Sequence, residues 1–346
     1  MTMQSPRIPS AVKHASAWHG ADMARDTSWM VPLDDAQRGD IRAALERVRG
    51  AGGSFATITP ESFPLPHCEA LLTDVRHTLR DGRGFVLLRR FPIDGLSVAD
   101  AELAYWGFCM HLGVPVTQNA QRELIVHITD KGPLRGPLAR GYATANEAKF
   151  HIDLTDVVGL LCLRQAKEGG HSRIASSVSV LNAVLRERPD LLPLLRDGFP
   201  WDRRDEHGDG ESPEGPRMPI FSERDGQWAC RYNRGFIEAP WRRRGEPTPA
   251  HVSEALDFID AAAARPEHVL EMDFQPGDIQ LLSNDTILHA RTAFTDHPEA
   301  DRMRLLLRIW LQMREPRPLA DPALLRDAFV RYGNLGKTVQ ERAAAE

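Results

Sequence analysis

The sequence predicts a mainly β fold with packed helices, an α+β protein built on a double-stranded β-helix, or jelly roll. Short apolar segments bounded by turn-forming residues are typical of strands and recur at 84–91, 157–163, 278–282 and 304–313. The helical patterns are few and do not alternate with these strands, which disfavours a βαβ fold. An H-x-D pair, His151 and Asp153, immediately precedes the strand predicted at 157–163. Such a pair can supply two metal ligands, which also favours this fold.

Composition bounds the class of protein. The 346 residues are 42% hydrophobic and 26% charged, which is ordinary for a globular core. A net charge of −5 and a pI near 6.2 favour neither nucleic acid nor an anionic membrane as partner. No apolar stretch reaches the roughly 18 residues that a membrane span needs, and the N-terminal segment lacks the apolar region of a secretory signal.

The four cysteines bear on metal binding and on the compartment. They are widely spaced and form no C-x-x-C pair: Cys68, Cys109, Cys162 and Cys230. This spacing disfavours a zinc knuckle and favours free thiols in a reducing environment. We therefore expect a cytoplasmic protein. We also expect it to act on a small molecule, and the sequence leaves its oligomeric state open.

Helices are predicted from apolar residues at helical spacing and from start signals. In chain order they cover 35–49, 98–112 and 178–185, and two more begin near 249 and 322. Thr248 followed by Pro249 predicts a helix start with the threonine hydroxyl as N-cap. Two polar, Gly-rich segments, 131–149 and 202–215, are predicted to be mobile loops.

The predicted domain organisation has one main domain and one extension. Residues 1–56 mix charge, Gly and Pro without a strong strand pattern, and we interpret them as an N-terminal extension packed on the core. Residues 57–346 are predicted to form the domain that contains the jelly roll.

The strongest candidate site combines the H-x-D pair with a distant histidine. His151 and Asp153 share one face of an extended segment, and His289 follows 136 residues after Asp153. Two imidazoles and one carboxylate leave three positions of an octahedron open, which is typical of non-haem Fe(II) oxygenases. The H-x-D pair alone is weak, because either residue is often a surface or capping group.

A charged residue in an apolar strand adds to this pattern. Arg308 lies 19 residues after His289, within the run Leu-Leu-Leu-Arg-Ile-Trp. Burial of a charge is costly unless it is paired, and a guanidinium fork binds a carboxylate through two parallel hydrogen bonds. The alternative is an arginine on the solvent face of an edge strand.

Together these residues resemble the taurine dioxygenase-like (TauD/TfdA) family of Fe(II)- and 2-oxoglutarate-dependent oxygenases. The resemblance runs from about residue 82 to 311 and rests on five blocks in family order, at 150–153, 169–172, 276–280, 288–292 and 307–311. It implies that His151, Asp153 and His289 bind Fe(II). It also implies oxidation of an unactivated C–H bond by O₂, with succinate and CO₂ as co-products of 2-oxoglutarate.

The resemblance further assigns residues to the co-substrate. Arg308 would bind the distal carboxylate of 2-oxoglutarate. Ser172 stands where the family often has Thr and would donate a hydroxyl to the same carboxylate, although a plain turn hydroxyl is an equal alternative. Arg304, four residues before Arg308, would contact the metal-proximal carboxylate or pair with a surface acid.

The expected substrate is a small acid or an amino-acid-like molecule. Tyr142, Asn146 and Glu147 precede the metal strand and are candidates to line the mouth of the site. Arg231 and Arg234 are candidates to bind a substrate carboxylate. For each of the five, an ordinary surface contact or structural ion pair is the alternative.

Two other functions stay open at this point. One is a cupin-like metal-dependent oxygenase that does not use 2-oxoglutarate, which would have no need for Arg308. The other is a non-catalytic jelly-roll binding or sensor protein that has kept the metal ligands without turnover.

Overall fold

The computed structural model describes residues 11–132, 144–205, 207–327 and 335–343. Within these ranges the helices are α1 (Gly20–Arg25), α2 (Asp35–Gly50), α3 (Glu69–Arg80), α4 (Val98–Met110), α5 (Ser177–Glu187), α6 (Leu192–Asp197), α7 (Arg234–Arg244), α8 (Ala250–Ala263) and α9 (Val339–Ala343). The strands are β1 (Met30–Pro32), β2 (Phe85–Arg89), β3 (Gly113–Val116), β4 (Ile125–Ile128), β5 (Ala148–His151), β6 (Val157–Arg164), β7 (Glu168–Gly169), β8 (Ser172–Ser176), β9 (Phe199–Asp202), β10 (Glu214–Met218), β11 (Phe221–Arg224), β12 (Gln227–Cys230), β13 (Val269–Met272), β14 (Ile279–Ser283), β15 (Ile287–Arg291), β16 (Phe294–Thr295) and β17 (Leu305–Met313).

Two sheets organise the chain. The larger sheet has the strand order β1-β2-β14-β6-β17-β3, with β4 also paired to β17. The smaller sheet has the order β13-β8-β15-β5. Neighbouring strands are antiparallel throughout, except for the parallel pair of β1 and β2. The predicted mixed α+β class is confirmed, and the two-sheet arrangement is the one expected of a jelly-roll core.

The side chains of β17 show how the two faces of the larger sheet are used. Leu306 and Trp310 belong to the core shared with the smaller sheet. Leu307 and Ile309 belong to a second core, on the opposite face, that includes residues of α2, α3 and α4. Because side chains alternate along a strand, Arg308 lies on the same face as Leu306 and Trp310, between the two sheets.

Most helix predictions are confirmed. The helices predicted over 35–49, 98–112 and 178–185 correspond to α2, α4 and α5. The predicted N-cap at Thr248 is wrong, because Pro249 has an extended conformation, occupies the N-cap position itself and offers no side-chain acceptor. The predicted C-terminal helix forms as a π-helical segment, Ala323–Asp327, with the Asp321 carboxylate accepting from the Leu324 amide at 3.0 Å.

The N-terminal residues contribute to the main core. β1 extends the edge of the larger sheet, and the rings of Trp18 and Trp29 lie 5.1 and 5.9 Å from that of Phe85. These contacts support packing of this segment on the core, and the division at residue 56 stays a prediction. No helix in the part of the chain that the structure describes is long and apolar enough to cross a membrane. All four cysteine thiols are buried and free of disulfides.

Candidate active site

Strand pairing brings the three predicted metal ligands together. His151, at the end of β5, lies directly opposite His289 on β15 in the antiparallel register, and the two rings are 4.4 Å apart. Asp153 follows two residues later, and one donor atom from each of the three residues lies within 4.8 Å of the others. Among the described residues this is the one cluster of at least three His, Cys, Asp or Glu side chains that could hold a metal ion.

The donor atoms are in the chemical states that a divalent metal requires. The Nδ1 atom of His151 hydrogen-bonds to the Lys149 carbonyl at 2.7 Å, which leaves its Nε2 as donor to a metal. Burial, with His151 beside it, lowers the pKa of His289 to about 3, so its imidazole is neutral at physiological pH. For Asp153, burial opposes ionisation, but Arg308 and the two histidines outweigh it and lower the pKa to about 2. A neutral histidine and an ionised carboxylate are the metal-binding forms, so the residues fit an Fe(II) ion.

The Asp153 carboxylate is held by its neighbours. Its Oδ2 atom accepts from Trp310 Nε1 at 3.0 Å and lies 3.4 Å from Nη1 of Arg308. The Asp153 amide donates to the Asn284 side-chain oxygen at 2.9 Å. A buried carboxylate with two donors on one oxygen has little freedom to rotate. Trp310 was not among the residues predicted to belong to the site, although its position two residues after Arg308 places it on the same strand face.

Arg308 is fixed beside the metal ligands. Its Nε donates to the Gln118 side-chain oxygen at 2.8 Å, and the Gln118 amide donates back to the Arg308 carbonyl at 2.9 Å. The ion pair with Asp153 satisfies the expectation that this buried cation needs an anion. Gln118 lies 190 residues from Arg308 in the chain, and no local pattern in the sequence indicated it.

Arg304 occupies a different environment. It is 4% exposed, its guanidinium stacks on the Phe294 ring at 5.1 Å, and its Nη1 has no hydrogen-bond partner among the described residues. Burial, with Arg291 nearby, lowers its pKa to about 10. No carboxylate of the described residues lies within 4 Å of it, so the expected surface ion pair does not form. Arg308 is thus the arginine next to the metal ligands, and Arg304 is the one that lacks an anion.

Ser172 and Arg291 face the same space. Ser172 is the first residue of β8, lies directly opposite Arg291 on β15, and its hydroxyl is 3.0 Å from the Gln280 amide nitrogen. Arg291 is 8% exposed and stacks on the Phe294 ring at 4.8 Å. Arg291 belongs to the block at 288–292 that supports the family resemblance, but no role was predicted for it.

A cavity of about 440 Å³ opens onto the three ligands. Its lining includes Ser172, Arg291, Arg304 and Arg308, together with Arg204 and the first residues of α7. The shape suits a small molecule held between the two sheets.

The predicted substrate residues fall into different places. Glu147 and Arg234 line the cavity. Asn146 is exposed and lies outside the lining, although its carbonyl accepts from Arg291. Tyr142 lies outside the described residues.

The candidate Arg231 is corrected by the structure. It is 2% exposed, lies outside the cavity lining, and forms an ion pair with Asp285 at 2.7 Å. Its Nη1 also donates to the Cys230 carbonyl at 3.0 Å. Its charge therefore stabilises the buried interior and does not face a substrate. Arg234 lines the cavity, but carboxylates of Glu238, Asp257 and Asp260 lie 2.6–2.9 Å from its guanidinium.

Comparisons with known proteins find a matching family and similar sequences. The model of the family described as "Taurine catabolism dioxygenase TauD, TfdA family" matches residues 48–310. The FR-33289 synthase of Streptomyces rubellomurinus (strain ATCC 31215) is 34% identical over 315 residues, 90% of this chain and 93% of that protein. The taurine hydroxylase-like protein SAT17 of Stachybotrys chartarum (strain CBS 109288 / IBT 7711) is 30% identical over 317 residues, 88% of this chain and 80% of that protein.

A solved structure is similar in fold. An asparagine oxygenase in complex with Fe(II), 2S,3S-3-hydroxyasparagine and succinate superposes with a TM-score of 0.63 and 19% identity. The match covers 82% of this chain and 93% of the other.

Proposed function

Because the chain belongs to the TauD/TfdA family of dioxygenases, we propose that it oxidises an unactivated C–H bond of a small, anionic substrate. The predicted class, an Fe(II)- and 2-oxoglutarate-dependent dioxygenase, is confirmed by this membership. Neither a cupin-like oxygenase without 2-oxoglutarate nor a non-catalytic sensor is favoured.

The observation that carries the proposal is the cluster of His151, Asp153 and His289 at the base of an arginine-rich cavity. These three residues would hold Fe(II), which supplies O₂ activation coupled to oxidative decarboxylation of the 2-oxo acid. Asp153, held by Trp310 and Arg308, provides the anionic ligand.

Arg304, which immediately precedes β17, and Arg308, within β17, take roles opposite to those implied by the resemblance. Arg308 is already paired with Asp153, so we assign it to the metal-proximal side of the co-substrate. Arg304 is buried and has no carboxylate partner among the described residues, so we assign it to the distal carboxylate of 2-oxoglutarate. Ser172 lines the same cavity and can add a hydroxyl hydrogen bond.

The charge of the cavity supports an anionic substrate. Six cationic side chains and three carboxylates of the described residues line it: Lys149, Arg204, Arg234, Arg291, Arg304 and Arg308 against Glu147, Asp153 and Glu238. Glu238, Asp257 and Asp260 already neutralise Arg234, and Asp153 pairs with Arg308. The positive charge that remains is chiefly that of Lys149, Arg291 and Arg304. Fe(II) and the dianionic co-substrate would cancel each other's charge, so the lining as a whole would keep a net positive charge toward a substrate acid. Two similar proteins, a taurine hydroxylase-like protein and an asparagine oxygenase bound to hydroxyasparagine, have names consistent with small acids.

The four buried, unpaired thiols support a cytoplasmic location as a further part of the proposal.

The test is a screen for substrate-stimulated succinate formation with Fe(II), 2-oxoglutarate and O₂. Each carboxylate, sulfonate or phosphonate would be compared with its neutral amide or ester. We expect acids to stimulate turnover and their neutral analogues to do so far less. Asp153→Ala should abolish both iron binding and turnover, because it removes the anionic ligand. Equal stimulation by neutral analogues would reject the anionic substrate, and an active Asp153→Ala variant would reject the metal site.

A further inference from the structure

We propose that Arg291 is a second cationic residue for the distal carboxylate of 2-oxoglutarate, which it binds together with Arg304. This inference rests on the function proposed above and deepens its co-substrate site. It assigns a binding role to a residue that neither the sequence patterns nor the resemblance had given one.

Arg291 lies on the wall of the cavity, on the same strand as His289. It lies two residues after His289 on β15, so both side chains point to the same face of the smaller sheet. It is directly opposite Ser172, and directly opposed residues on antiparallel strands have side chains roughly 5 Å apart at Cβ. Both residues line the cavity above the metal ligands.

Arg291 and Arg304 both contact the ring of Phe294. The two guanidinium carbons lie 4.8 and 5.1 Å from the centre of the same Phe294 ring. Both side chains are more than nine-tenths buried and both line the cavity. The two cations therefore share one aromatic neighbour, and Arg291 is near enough to contribute to the lowered pKa of Arg304, as expected where like charges repel in a protein interior.

Neither Arg291 nor Arg304 has a carboxylate as close partner among the described residues. No carboxylate of the described residues lies within 4 Å of either guanidinium, and Asp130 and Asp296 act on them only from a longer distance. Arg291 Nε and Arg304 Nη1 have no hydrogen-bond partner among the same residues. Two buried cations without an anion are costly, and a bound carboxylate between them would supply the missing charge and acceptor atoms.

Arg291 also has structural contacts that a test must separate from binding. Its Nη2 donates to the Thr144 carbonyl at 2.6 Å and to the Asn146 carbonyl. These bonds tie the segment before β5 to β15. Loss of this tie alone would disturb the metal site and weaken every 2-oxo acid that chelates the metal, whether or not it has a distal carboxylate.

The experiment therefore compares two 2-oxo acids on the same protein. 2-Oxoglutarate and 2-oxobutanoate share the chelating group, but 2-oxobutanoate has no distal carboxylate. Each is titrated anaerobically into the Fe(II) protein, and the charge-transfer absorption of the chelate reports binding. We expect Arg291→Gln to weaken 2-oxoglutarate by about tenfold or more, as for loss of a charge-assisted hydrogen bond, and 2-oxobutanoate by less than about twofold. Arg291→Lys keeps the charge and should recover part of the 2-oxoglutarate affinity.

Arg173→Gln is the matched control. Arg173 is the neighbour of Ser172 on β8, points to the opposite face, and pairs with Glu271 at 2.8 Å. It should leave the ratio of the two affinities unchanged. If Arg291→Gln is too unstable to titrate, the same ratio measured on Arg291→Lys decides the question.

The outcomes separate this inference from the proposed function. Equal weakening of both acids by Arg291→Gln would overturn the inference, since Arg291 would then act only through its carbonyl contacts. If Arg304→Gln selectively weakens 2-oxoglutarate while Arg291→Gln changes neither acid, the inference fails and the proposed function stands. If the parent protein binds iron but neither acid produces the chelate absorption, the proposed function itself fails.

Discussion

Replacement of Trp310 by Phe tests whether the orientation of the Asp153 carboxylate matters for metal binding. The change removes one N–H donor, at 3.0 Å from Asp153 Oδ2, and keeps an aromatic ring in the core between the sheets. Asp153 is 9% exposed, so solvent cannot fully replace the lost bond, and Arg308 at 3.4 Å remains as the other donor to that oxygen. Loss of a group that orients a metal ligand typically weakens metal affinity by about 10–100-fold. We expect a decrease of that size in Fe(II) affinity.

The assay is an anaerobic Fe(II) titration in competition with a chelator, with thermal unfolding of the metal-free protein measured in parallel. Trp106→Phe is the matched control, because Trp106 is also fully buried and its Nε1 has no hydrogen-bond partner among the described residues. It packs on Phe55 at 4.6 Å in the helix-covered core. The control should lose stability without losing iron affinity. A Trp310→Phe protein with parental Fe(II) affinity would show that Arg308 and the backbone alone hold Asp153.

Three further changes test features outside the metal ligands. Arg231→Ala leaves Asp285 buried and unpaired, and should cost about 3–5 kcal/mol in the free energy of unfolding measured with denaturant; a silent change would mean that the pair is not structural. Gly159→Ala adds a Cβ that would clash with the Tyr105 hydroxyl, so we expect a loss of about 1–3 kcal/mol that Tyr105→Phe partly restores. Burial lowers the pKa of His268 from 6.5, so protonation at lower pH favours the unfolded chain. The free energy of unfolding should therefore fall as the pH drops below about 6.5. This fall should be smaller in His268→Asn when unfolding is measured as a function of pH. An unchanged pH slope in that variant would exclude His268 as its source.

The sequence was sufficient to predict the cluster of His151, Asp153 and His289 and most of the elements that position it. His151 and Asp153 are two residues apart, so their common face follows from the geometry of an extended chain. His289 was identified by its order after a buried strand, and that strand is β14. The helices α2, α4 and α5 followed from periodicity because their apolar faces pack on the larger sheet or the core between the sheets.

The roles of the arginines could not be predicted in the same way. Strand periodicity places Arg304 and Arg308 on one face, but the register of β17 against β6 shifts between Leu305 and Leu306. Which arginine lies beside Asp153 therefore depends on how the sheets pack, and that information is not local. The same applies to Arg231, whose partner Asp285 belongs to a turn far along the chain. Burial alone does not distinguish an arginine that needs a ligand from one that already has a carboxylate.

Two neighbouring strands of the smaller sheet are separated by a long segment of the chain that contains none of the three predicted metal ligands. β8 and β13 are adjacent and hydrogen-bonded in that sheet, yet residues 177–268 lie between them in the chain. This long excursion includes α7, whose first residues reach the cavity, whereas all three metal ligands lie outside it. Because closing a longer loop between fixed strands adds little entropic cost, the surface loops of this excursion can change in length without moving the three predicted ligands, whereas its helices α5 and α8 are part of the core. Exchanging the loop residues and the start of α7 that line the cavity between related dioxygenases is therefore a direct route to altered substrate preference around an unchanged cluster of His151, Asp153 and His289.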